Sequence, residues 1–159
     1  MQQLLETWGA IYSNHPALRA SIEFLHVGGL LGGGGLAVAA DRAMLQLGGV
    51  SAPSAAREAR LLSLHGTHRL VIAGLLLVIV SGLLLAFADL DTFLYSKVFW
   101  LKMALIVLLL GNGLALVRQE TRALAGHEPA WRRLRLVACA SLALWFSITL
   151  LGSALPNLG

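Results

Sequence analysis

Glu23 and His26 lie three residues apart in an otherwise apolar stretch, just ahead of the run Gly28-Gly29-Leu30-Leu31-Gly32-Gly33-Gly34-Gly35. An ionisable pair inside hydrocarbon is costly and marks a functional-site candidate. At helical spacing the two residues share a face, which Gly29 and Gly33 continue below His26. A histidine above a groove free of side chains suits a flat haem b, with Met103 available as a sixth ligand. The same His and Met beside a carboxylate suit copper, since thioethers select Cu(I). A reading without any cofactor is equally plausible. Gly28-x-x-x-Gly32 and Gly29-x-x-x-Gly33 are patterns through which two helices pack closely. Glu23 then pairs with Lys102 or Arg19, and His26 is a hydrogen-bonded or proton-handling histidine.

Depth relates these residues to one another. With a rise of about 1.5 Å per residue, His26 and Met103 each fall about 7 Å outside the membrane centre, Lys102 about 9 Å and Glu23 about 12 Å. Glu23, His26, Lys102 and Met103 therefore occupy one layer if the first and third apolar stretches face each other. A weaker alternative metal site at the opposite face combines His65, His68 and His127, a set of low specificity without Cys or Asp company. His68 falls about 15 Å on the other side of the centre, so it is not expected to share an iron with His26.

Four long apolar stretches position these groups. Each offers the roughly 20 residues that a helix needs to cross a hydrocarbon core. Residues 2–13 predict a short interfacial helix, with Leu4, Leu5, Trp8, Ile11 and Tyr12 at helical spacing. Pro16 fits the first turn of the next helix. The spans are expected at about 17–47, 68–88, 98–118 and 133–155. Asp41-Arg42 marks the exit from the first span, Gly48 to Ala56 a small-residue connection, and Arg118 to Arg135 a polar loop. Pro156 is expected to end the fourth. Asn112, Ser81, Ser141, Ser147 and Thr149 are mid-span polar groups suited to interhelical or backbone hydrogen bonds. The fold class is all-α: a single membrane domain over residues 1–159, built as a four-helix up-and-down bundle.

Composition agrees, with 57% hydrophobic and 13% charged residues and a mean hydropathy of +0.76. The net charge of +4 does not imply nucleic acid, because the basic residues sit between apolar runs. Arg42, Arg57, Arg60, Arg69, Arg118, Arg122, Arg132, Arg133 and Arg135 flank the first and third connections; Arg19, Lys97 and Lys102 flank the other side. The positive-inside rule then places both termini outside, periplasmic in a bacterial inner membrane. One cysteine, Cys139, excludes an internal disulfide, and no cleavable signal peptide is expected. No P-loop, dinucleotide fingerprint, zinc-protease motif or nucleophile elbow is present, so no catalytic residue is assigned and an enzyme is the less favoured reading.

The stretch from His26-Val-Gly-Gly through Ser81-Gly82-Leu83 and Asp89 to Phe99-Trp100-Leu101-Lys102 and Asn112 resembles small bacterial four-helix membrane proteins of the copper-resistance D type. It resembles cytochrome b561-like bundles more loosely. The resemblance covers roughly Phe24 to Leu116 and implies a histidine near the periplasmic side early in span one, where His26 stands. The expected function is electron transfer or metal handling through a haem or copper site in the outer half. The alternative is a cofactor-free accessory subunit packing through its glycine-rich first span. The expected partners are the lipid bilayer and other membrane subunits or a second copy.

Overall fold

The computed structural model describes residues 2–47 and 54–158, and among them every regular element is helical. Helix α1 (Gln2–Asn14) reverses at His15, whose Nδ1 donates to the Ile11 carbonyl at 2.8 Å. Pro16 opens α2 (Pro16–Gly29), where its missing N–H costs nothing. The chain continues without a break through a π-helical turn (Leu30–Gly34) into α3 (Gly35–Leu47). Helix α4 is a single rod of 35 residues, Ser54–Ala88. The short α5 (Leu90–Tyr95) leads to α6 (Lys97–Leu124), capped by Ser96, whose Oγ accepts from the Phe99 amide at 3.2 Å. Helix α7 runs Glu128–Leu158.

Four helical segments, Pro16–Gln46, Arg57–Ala88, Lys97–Leu124 and Glu128–Leu155, are long and apolar enough to cross a membrane. Between 11% and 28% of the apolar window of each is buried inside the protein, so most of that surface faces outward. Phe24, Leu31, Val107, Phe146 and Leu150 are among the residues exposed there.

Two boundaries differ from the sequence reading. The polar loop expected from Arg118 to Arg135 contracts to a turn at Ala125–His127, because α6 continues to Leu124 and α7 begins at Glu128. Gly126 closes α6 with a left-handed φ of 83°, and its amide bonds to the Ala123 carbonyl at 3.1 Å. A glycine suffers no Cβ clash in that conformation. Pro156 does not stop α7, which carries on to Leu158. The connection at 48–53 lies outside the described residues.

Packing order follows the small residues. Helices α2 and α3 lie along α4, α3 also lies on α7, and α7 packs along α6. A Cβ on Gly33 would stand 2.8 Å from the Gly74 Cα, and one on Gly29 2.9 Å from Val78 Cγ2. These pairs run antiparallel, so backbone meets backbone at the crossing of α2–α3 with α4. Gly34 gives way to the indole of Trp145, 3.2 Å from where its Cβ would be. Trp145 forms a mid-length core with Ala37, Leu109 and Ile148. A second core, Met44, Leu61, Leu116, Ala123, Trp131 and Leu134 with their neighbours, fills the end carrying the α6–α7 turn. At the opposite, terminal end, α1 folds onto α4: Trp8 Nε1 donates to the Leu84 carbonyl at 2.9 Å.

Gly33→Leu is expected to destabilise the protein by about 3 kcal/mol, because a bulky side chain must push two backbones apart. Gly28→Ala, which meets open space, should be neutral or stabilising by up to about 1 kcal/mol from helix propensity. Unfolding in mixed micelles measures both, and equal effects would refute the assigned register.

Candidate functional site

The terminal end contains His26. Its Nδ1 lies 3.1 Å from the Val78 carbonyl and 3.1 Å from Ser81 Oγ. Because Ser81 donates its own proton to the Leu77 carbonyl at 2.6 Å, Oγ accepts from the ring and Nδ1 carries the hydrogen. A neutral ring so held keeps its lone pair on Nε2. Gly82 makes room for it: a Cβ there would stand 3.1 Å from His26 Cε1. Lys102 from α6 is half-buried and close enough for its charge to act on the imidazole. Its ammonium lies 3.4 Å from where a Cβ on Gly152 of α7 would be.

Glu23, expected in the same layer, goes elsewhere. Glu23 is exposed and accepts from the Tyr12 hydroxyl at 3.1 Å, joining α2 to α1 rather than to Lys102. Burial first, and the Glu23 carboxylate second, push the Tyr12 phenol above its usual pKa. Met103 is half-buried next to Lys102 on α6. Span one does meet α6, Leu30 and Ala37 sharing a cluster with Leu105, Ile106 and Leu109, while α2 lies mainly on α4 and α6 mainly on α7. Gly29 and Gly33 are covered by Val78 and Gly74, so a flat haem does not fit on that face.

A second group of polar residues stands at the turn end, and the sequence reading did not assemble it. Asp41 of α3 is 2% exposed and Glu120 of α6 is 3% exposed. His68 of α4 donates Nε2–H to both Glu120 oxygens, each at 2.9 Å. Ser141 of α7 is buried beside the Asp41 carboxyl. Asp41 was expected to mark an exit and Glu120 to lie in a loop; both turn inward instead. The signal was helical spacing, since Asp41 follows Gly33 and Ala37 at intervals of four, and Glu120 lies between Leu116 and Ala123. Arg57 closes this end, its Nη2 3.2 Å from Glu128 Oε1 and its guanidinium 5.0 Å from the Trp131 ring centroid.

His68 is thus engaged with Glu120, while His127 lies in an exposed groove of about 320 Å³ with Arg122 and Arg133. The side chain of His65 lies outside the described ones. Among the described residues no three His, Cys, Asp or Glu side chains are grouped so as to hold a metal ion. Along α4, thirteen residues separate His68 from Ser81, about 20 Å of helix, so His26 and His68 serve different places. No family model, curated protein or solved structure matches this chain.

His68→Ala should cost about 3 kcal/mol, because it strands a buried carboxylate. Replacing both partners, His68→Leu with Glu120→Leu, should restore most of that stability. A double variant no more stable than the single one in the same unfolding assay would count against the ion pair.

Proposed function

We propose that the chain is a small multi-pass protein of a bacterial inner membrane, four spans arranged up and down with both termini periplasmic, that handles electrons or a metal ion through His26. The outward-facing apolar surface and the arginines gathered at one end of the spans support the membrane reading. The observation that carries the assignment is the anchoring of His26 Nδ1 by Val78 and Ser81. Donation of the distal N–H to a carbonyl is how ligating histidines are oriented and their basicity raised. A copper or haem iron on Nε2 would supply a one-electron couple. Val78 and Ser81 fix the ring, Gly82 makes space for it, and the Lys102 charge favours an occupant that brings negative charge with it. The resemblance to copper-resistance D proteins points the same way. A haem would have to approach Nε2 away from the filled Gly29–Gly33 face.

A second reading, a cofactor-free accessory subunit, draws on the other glycines. Gly28, Gly32 and Gly35 are exposed, and a Cβ on any of them would meet nothing within 4 Å. That surface of span one is open for another membrane helix or a second copy.

A reduced-minus-oxidised visible spectrum and metal analysis of the detergent-purified protein separate the two. A bound haem or copper is expected, abolished in His26→Ala, weakened about ten-fold in Ser81→Ala and retained in His68→Ala. A colourless, metal-free protein that copurifies with a membrane partner, and loses it in Gly32→Leu, would favour the second reading. Reporter fusions should place the C-terminus outside and the Ala125–His127 turn inside; the reverse would overturn the orientation.

A further inference from the structure

We propose that Asp41, His68 and Glu120 form a proton-binding site at the turn end of the helices, two protons being shared among the three groups, with the second held on the carboxyl of Asp41. Three helices contribute the ionisable groups and the fourth contributes Ser141. The bidentate contact between His68 Nε2 and Glu120, 2.9 Å to each oxygen, accounts for one proton as an imidazolium–carboxylate pair. Asp41 would then be a lone net charge, 2% exposed. Burying an uncompensated carboxylate costs several kcal/mol, and among the described residues Asp41 Oδ2 has no hydrogen-bond partner. An unpartnered acceptor at full burial calls for a donor.

Among the described side chains, the neighbouring arginines do not supply one. On α3 the adjacent Arg42 is exposed; on α4 Arg69 is exposed, and Arg57 is engaged by Glu128 and Trp131. On α6 Arg118 and Arg122 are exposed, and α7 presents the Ser141 hydroxyl. The side chains are also not grouped to hold a metal ion. A proton on Asp41 removes the net charge without any further ligand, and the carboxyl becomes a donor as well as an acceptor. Proton exchange at this carboxyl changes the charge of the cluster by one unit. The inference is independent of His26, which lies beyond Gly74 toward the other end of α4.

Infrared spectra of the full chain in lipid nanodiscs test it. The wild type should show the carbonyl stretch of a protonated carboxylic acid, lost in Asp41→Asn and retained in Glu6→Gln, an exposed carboxylate outside the cluster. Absence of that band in the wild type, or its survival in Asp41→Asn, would overturn the proposal. Should Asp41→Asn fail to fold, Ser141→Ala decides: the band must move when the hydroxyl beside it is removed. An unmoved band would place the proton elsewhere.

Discussion

The close crossing of Gly33 and Gly74 sets the relation between span one and α4, and both polar groups follow from it. His26 lies seven residues before Gly33, and Ser81 lies seven residues after Gly74. An antiparallel pair in that register brings His26 beside Ser81 at one end. At the other it brings Asp41 toward His68. A wider crossing would lift the His26 ring from the Val78 carbonyl and open the space below it. The π-helical turn at Leu30–Gly34 spans this same place, where glycine lets the helix backbone broaden and the neighbour approach.

Such a contact has a cost that the membrane proposed as its surroundings would explain. Each glycine in a helix gives up about 1 kcal/mol relative to alanine. In water, burial of larger apolar side chains would more than offset that cost. Lipid tails are as apolar as leucine, so helices there associate through close van der Waals packing instead. The run Gly28 to Gly35 contains two such surfaces, roughly 100° apart around the helix. Gly29 and Gly33 are consumed within the chain, whereas Gly28, Gly32 and Gly35 remain uncovered.

The four apolar helices, the reversal at Pro16 and the amino-terminal helix were legible because each follows from local pattern: apolar length, a proline, or helical periodicity. Partner choice was not, because it depends on which faces meet. Glu23 and Lys102 can share a depth and still point apart, Glu23 toward Tyr12 and Lys102 toward Gly152. Asp41 and Glu120 misled for a related reason. A charge near the end of an apolar run reads as a solvated boundary, and the longer helices α3 and α6 carry both residues inside the packed end instead. Gly126 and Pro129 were visible as a break, but their short spacing marked a tight turn rather than a long loop.

The buried polar groups also bear on how one register is chosen. Apolar helices in an apolar solvent can slide past one another at little cost, since leucine exchanges for leucine. Sliding α4 by one turn, about 5.4 Å, would separate His26 from Ser81 and His68 from Glu120 together. In the proposed membrane each orphaned group would then be left without a partner, since hydrocarbon offers none. Asn112 constrains the remaining pair in the same way, with its Nδ2 3.0 Å from the Val137 carbonyl of α7. The glycines permit close approach at several positions along the run. It is the polar partners at both ends that penalise all but one of them, so the residues that carry the candidate chemistry also hold the helices in the alignment that chemistry requires.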